Sequence, residues 1–331
     1  LLSYSKIHIK KILLDSTISE DPYLAQELYR YFPQQLGDRY PDEISEHRLR
    51  REIICTVITN SLVNRMGNAF AHRLNDELGN SFEDIARAYT VARDLFDIRS
   101  LWADIEKLDN KVPDELQTRM MLEIRRLIKH VTLWLINNKE QLNNIQILIS
   151  RYAEDIKLLA DDIHHYLSKD ELHRIEHRIA EYCNSGIPRR VAQRVVMLKA
   201  LFASPDITWL KERTGAPAKV LSEIYFRLAE ALQITWVRRH IDKPTADSRW
   251  HALARNALRD DLYQRHRELC AKVADDIDIS ANIVTELDNW LNNNSVQTAY
   301  LSNLITEVKS TQQANYLSLS VILRQLGRLS A

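Results

Sequence analysis

The stretch His173-Arg174-Ile175-Glu176-His177 carries the residue types closest to a reaction centre in this chain. Two histidines four apart share a helix face, and H-x-x-E-H is the order found in inverted zinc peptidases, where imidazoles ligate and the carboxylate acts as base. The flanking pattern argues against that use. With Leu172, Ile175, Ile179 and Tyr182 on the buried face, His173 and His177 fall on the opposite side, beside Asp170, Arg174, Arg178 and Glu181. A catalytic zinc needs a sheltered cavity, and this is a charged, solvated face. His164-His165 reads as surface for the same reason.

Trp209 to Val220 has the form of a helix, a glycine turn at Gly215 and a second helix over Ala218 to Leu232. A helix-turn-helix reader would lay that second helix in a major groove. It offers only Lys219 and Arg227 as cations, with Glu223 and Glu230 opposing them, so an ordinary helical hairpin is the better reading. No G-x-G-x-x-G, G-x-x-x-x-G-K-[ST] or G-x-S-x-G occurs, and six scattered glycines cannot build a phosphate cradle of either kind. Catalytic, cofactor-binding and metal-binding residues are therefore all read as none in this segment.

Composition points to the elements that would hold any site. Six glycines and eight prolines among 331 residues are few against usage of roughly 7% and 5%. The expected fold class is all-α: a multi-helix bundle containing two related helical subdomains. Lys plus Arg and Asp plus Glu are both 45, so net charge is zero, which argues against a nucleic-acid partner. Cys55, Cys183 and Cys270 are far apart, odd in number and lack a CxxC, which suggests reduced thiols in a cytoplasmic protein. Ser3 to Lys11 is too polar for a signal peptide, and no membrane span is expected. The chain does not begin with Met and reads as part of something longer.

The stretch His47 to Leu74 is the predicted central helix, because Leu49, Ile53, Ile54, Val57, Ile58, Leu62, Val63 and Met66 fall on nearly every side of it. Thr56, Asn60 and Asn64 form a polar stripe, read either as bonds to neighbouring helices or as a contact to a partner or ligand.

Before it, residues 1–45 read as short segments divided by Pro22, Pro33 and Pro41. After it, Ser81 is an N-cap candidate for a helix over Phe82 to Phe96. Leu101, Trp102, Ile105 and Leu108 mark a short helix, and Pro113 opens another over Asp114 to Asn137. From about Lys139, the residues Leu142, Ile145, Ile149, Tyr152, Ile156, Leu159, Ile163 and Tyr166 repeat with alternating steps of three and four. That heptad seam needs a partner along its length, expected from an antiparallel hairpin with the preceding helix and Trp134 packing near Leu142 and Ile145. The expected divisions are residues 1–137, an N-terminal subdomain; 138–185, the heptad helix and its return; and 186–331, a second subdomain with a terminal hairpin. A shift of 136 positions places Gly79 on Gly215, Tyr89 on Tyr225, Ile98 on Ile234, Ile105 on Ile241 and Lys107 on Lys243, which suggests an internal duplication.

Arg50-Arg51-Glu52-Ile53-Ile54, then Asn60, Val63-Asn64-Arg65 and Gly67, resemble the C-terminal helical region of the large bacterial NAD-dependent glutamate dehydrogenases. Tyr4-Ser5-Lys6-Ile7, Asp21-Pro22-Tyr23-Leu24 and Tyr31-Phe32-Pro33 are similar to the same region, in the same order. So are Gly186-Ile187-Pro188, Ile224 to Leu228, Arg249-Trp250 and Ala257 to Tyr263. His72 departs from that pattern, where an apolar residue is expected. The resemblance implies a parent enzyme that oxidises L-glutamate to 2-oxoglutarate with NAD as cofactor, its glutamate and dinucleotide sites lying upstream. It implies a structural or regulatory role here, with the catalytic domain of the same chain and other subunits of a homo-oligomer as partners. A free-standing helical interaction module, using the seam Leu142 to Tyr166, is the alternative.

Overall fold

The computed structural model describes residues 2–138, 140–243, 248–312 and 314–330, and among these every regular element is helical. Lys139 and the side chains of Tyr4 and Arg249, which the sequence reading uses, lie outside that description. The chain packs as two compact units, one of residues 1–156 and 177–202, the other of residues 157–176 and 203–331. These boundaries fall inside helices, whereas the divisions expected from sequence fall at 137/138 and 185/186.

The first unit begins with α1 (Leu2–Leu14), which buries Ile9 and Leu13. Pro22 lies in a turn. The Asp21 carboxylate accepts the Tyr23 backbone N–H at 2.9 Å, and α2 (Ala25–Tyr31) follows. Two short helices come next, α3 (Gln34–Arg39) and α4 (Pro41–Ser45). Then comes α5 (Arg50–Met66), which packs against α1 and α2 and buries Ile53, Ile54, Cys55, Ile58, Leu62, Val63 and Met66.

The predicted central helix is therefore shorter than His47–Leu74. Gly67 stops it, with φ +89° and ψ 157° where a helix needs φ near −63°. The chain restarts as α6 (Phe70–Leu78). Nor is α5 apolar all round: Leu49, just before it, is exposed, as are Arg51, Glu52 and Asn64 on it. His72, on α6, takes its apolar position as an aromatic. It stacks on His8 at 5.5 Å between centroids and meets Phe82 edge-on at 5.1 Å.

Next are α7 (Phe82–Leu95), α8 (Ile98–Glu106) and α9 (Asp114–Asn137). Ser81 caps α7 as predicted, accepting the Asp84 backbone N–H. Helix α7 is almost wholly buried and lies along both α5 and α9.

α9 ends at Asn137, and α10 (Ile145–Tyr166) starts only after an irregular stretch, so no single helix runs through residues 134–142. Leu142 lies in that stretch, yet is buried. Trp134 meets Tyr152 edge-on, with centroids 6.0 Å apart, about two helical turns beyond the expected Ile145. Ile145, Tyr152, Ile156, Leu159 and Ile163 are buried, and Ile149 and Tyr166 half-buried, so this one chain covers the seam. α11 (Lys169–Asn184) and α12 (Arg189–Met197) follow, with α12 packed on α8 and α9.

The second unit holds α13 (Ser204–Thr214), α14 (Ala218–Ala231), α15 (Ile234–Ile241) and α16 (Arg249–Asp276). The tail is α17 (Ile283–Asn293), α18 (Ser295–Ser310) and α19 (Tyr316–Leu329), in which α18 packs on α19 and α19 on α16. No helix among the described residues is long and apolar enough to cross a membrane.

The order α13–α16 repeats α6–α9. Gly79 and Gly215 each end a helix in the left-handed conformation, at φ +69° and +72°. Asp97 and Gln233, also 136 apart, each precede the short helix in that same conformation, at φ 47° and 56°. Tyr89 and Tyr225 are both buried, with hydroxyls bonded to Ser61 at 2.8 Å and to Asp206 at 3.0 Å. His130 and His266 match too: each Nε2 lies 3.1 Å from a backbone carbonyl, that of Phe202 and that of Tyr225. Glycine turns and buried tyrosines made this duplication visible in the sequence. The left-handed Asp97 and Gln233 did not, since neither residue type demands that backbone.

Candidate functional site

The first unit contains an open groove of about 490 Å³ walled by the end of α5, by α8 and by one face of α9. Asp114, Gln117, Thr118, Met121, Leu122 and Arg125 step along α9 by threes and ones, which keeps them on one helix face. Asn64 and Arg65 come from the last turn of α5, and Trp102, Ile105 and Glu106 from α8. The Arg65 guanidinium pairs with Glu106 and sits 4.6 Å above the centre of the Trp102 ring. Gln117 donates to the Ile105 carbonyl at 3.0 Å and also to Asp109, tying the start of α9 to the end of α8.

Arg125 is set differently. It makes no ion pair or hydrogen bond with a described residue, and its guanidinium lies over Gly67, where a Cβ would come within 2.9 Å of Nη2. Partial burial of the guanidinium, and after it the neighbouring Arg73 guanidinium, hold its pKa below the ordinary arginine value, although the residue as a whole is exposed. The groove mixes polar and apolar side chains, with Arg125, unpaired among the described residues, at one end. That suits it to binding. It brings together no nucleophile and base.

The other polar concentration is buried between α2 and α7. Glu27 accepts from Arg93 at 2.9 Å and Arg30 at 3.1 Å, and also from Arg99. Asp94 takes Arg93 Nε at 2.6 Å and the Tyr23 hydroxyl at 3.0 Å. Beside them Arg87 bridges Asp21 at 3.3 Å and Glu83 at 2.7 Å. Burial pushes the Asp94 carboxyl up, but the Arg93 pairing, with Arg99 and the Tyr23 hydroxyl, outweighs it and holds the group below its usual range. Burial, followed by the Asp94 charge, pushes the Tyr23 hydroxyl up. Each of these shifts favours the state that maintains the pairing, so the cluster is a lock between helices. Sequence reading missed it. The available signal was Arg93, one turn beyond Tyr89 on the otherwise apolar face Ile85-Tyr89-Ala92-Phe96.

The residues singled out from sequence are scattered. His173 and His177 are exposed on α11, as are His164 and His165 on α10. No group of three or more His, Cys, Asp or Glu among the described residues is arranged to hold a metal ion. Thr56 and Asn60 are half-buried and Asn64 is exposed, so the polar stripe faces outward. Thr56 bonds its own helix at the Glu52 carbonyl, and Asn64 reaches the groove. On α14, Lys219 pairs with Asp162 at 2.8 Å and Arg227 with Glu223 at 3.0 Å, while Leu221, Ile224, Tyr225 and Leu228 are buried. This helix is packed as the second arm of a hairpin and has no cations left over for phosphates. Cys55 and Cys270 are buried, and burial pushes the Cys55 thiol up to about 11.

A family model described as glutamate dehydrogenase, C-terminal, matches residues 1–328. A protein of Halomonas elongata named NAD-specific glutamate dehydrogenase is 32% identical over 330 residues, covering 100% of this chain and 20% of that relative. Proteins of the same name from Pseudomonas aeruginosa and Mycobacterium tuberculosis are 29% and 28% identical over the same length, again across 20% of each relative. The chain thus spans about a fifth of the length of these relatives.

Proposed function

This chain belongs to the family of glutamate dehydrogenase C-terminal regions, and from that premise we propose that it is the non-catalytic helical part of a large NAD-dependent glutamate dehydrogenase. The full enzyme would be a cytoplasmic oxidoreductase of glutamate catabolism, converting L-glutamate to 2-oxoglutarate and ammonia with NAD as acceptor. This segment would pack on the catalytic part of the same polypeptide and help subunits assemble. The carrying observation is coverage: the whole chain aligns with only a fifth of each relative named as the dehydrogenase. The helical architecture supports the same division of labour, since dinucleotides bind where a strand, a glycine-rich turn and a helix meet. Burial of the Leu142–Tyr166 seam within one chain removes the main reason to read it as a free-standing interaction module.

Two measurements test this. Isothermal titration of NAD into the 331-residue chain should give no saturable heat, and micromolar binding would overturn the non-catalytic assignment. Deleting the region from the full-length enzyme should lower its stability or alter its assembly. If the truncated enzyme kept full activity, melting temperature and subunit composition, the structural role would be wrong.

A further inference from the structure

The Arg125 end of the groove has the features of an anion site. Both Arg125 and Arg73 on α6 lack an ion-pair or hydrogen-bond partner among the described residues, and they lie close enough for one charge to depress the other's pKa. Carboxylates around the groove are already engaged: Glu106 by Arg65, Asp109 by Gln117 and Glu123 by Arg126. Asp114 is not, but it stands eleven residues away along α9, roughly 16 Å at helical rise. Two neighbouring like charges that pair with no described carboxylate are a cost that an arriving anion removes. Gly67 adds a structural reason: its positive φ breaks the helix and leaves room for the Arg125 guanidinium against bare backbone. Beside that guanidinium, Met121 and Leu122 line the groove, and Leu122 is 44% exposed. The volume lies in the range of small-molecule sites.

We propose that this end of the groove binds a small carboxylate, its anionic group held by Arg125 with Arg73 adding charge, and its apolar body lying on Met121 and Leu122. A planar carboxylate matches the guanidinium fork, and the apolar wall favours it over a fully hydrated phosphate. The site is independent of the structural role proposed for the chain.

The probe is 3-phenylpropanoate, titrated calorimetrically into the 331-residue chain, with 3-phenylpropan-1-ol and inorganic phosphate in parallel. The carboxylate should bind and raise the melting temperature. The alcohol and phosphate should each bind roughly tenfold more weakly, the loss of one charge-assisted pair or of the apolar contact. Arg125→Met, at an exposed position, should melt like the parent without ligand and lose roughly tenfold in affinity, and Leu122→Ala should weaken binding with Arg125 intact. Equal affinity in Arg125→Met, an alcohol or phosphate that matches the carboxylate, or no carboxylate binding at millimolar concentration would each overturn the proposal.

Discussion

Arg93 and Glu27 are fully enclosed, while Arg30 and Arg99, the other partners of Glu27, reach solvent. Removing Glu27 would therefore strand a buried guanidinium on Asp94 alone. Breaking a buried pair from one side costs about 3–5 kcal/mol, whereas replacing both partners with apolar groups costs much less. Glu27→Leu should lose stability in that range by urea melts, and Glu27→Leu with Arg93→Met should recover part of it. A double variant as unstable as the sum of the singles would mean the two residues do not act as a pair. The fold also responds to pH through His266. His266 is buried and neutral, and burial pushes its pKa down to about 3 from 6.5. Between those values the unfolded chain binds a proton that the folded chain refuses. Stability from this group is thus intact above pH 6.5 and falls by about 1.4 kcal/mol per pH unit as pH drops toward 3. His266→Gln keeps an N–H donor for the Tyr225 carbonyl without titrating. Its stability should decline less steeply than the parent's between pH 6.5 and 4.5, and parallel profiles would contradict the assignment.

Among the helices, α5 shows how packing and backbone divide the work. Ile54 is 0% and Leu62 1% exposed, so truncating either to alanine should destabilise the chain by about 2–5 kcal/mol in urea melts. A loss under about 0.5 kcal/mol at both positions would place the core elsewhere. The apolar run was legible over the length of α5, but the helix end was not, because glycine is tolerated inside helices and only the φ of +89° at Gly67 identifies it as a stop. At α9 the reverse holds. Pro113 before Asp114 marked the start of the helix correctly, since proline suits a position whose N–H would have no helical partner. The second face of α9, from Gln117 to Arg125, mixes charge, amide and apolar residues, and no periodicity singles it out as the wall of a groove.

For the whole molecule, the burial of α10 decides what the heptad pattern means. Ile145, Tyr152, Ile156 and Ile163 are buried in the single chain, and Ile149 between them is half-buried. Ile149→Glu should therefore lower the melting temperature without changing the oligomeric state seen by sedimentation. A clean shift to smaller species with an unchanged melt would show instead that the seam joins subunits. The α6–α9 and α13–α16 arrangements share one order of helices. One structural pattern supports different polar cores: Tyr89 is satisfied by a serine and Tyr225 by a buried aspartate.

Helical class, the positions of most helices and the duplication were readable from residue order, because they depend on local quantities: few glycines and prolines, capping residues and the 3.6-residue period. So was the family, through short motifs spread in order along the chain. Which polar residues would be buried together was not readable. Glu27 and Arg93 are 66 positions apart and look like ordinary surface charges until the fold brings them to 2.9 Å. The groove is hidden in the same way: Asn64, Trp102 and Arg125 come from three helices, and the Arg125 guanidinium lies against Gly67, 58 positions away in sequence. Such long-range proximity is set by how helices pack, and local sequence carries no term for it.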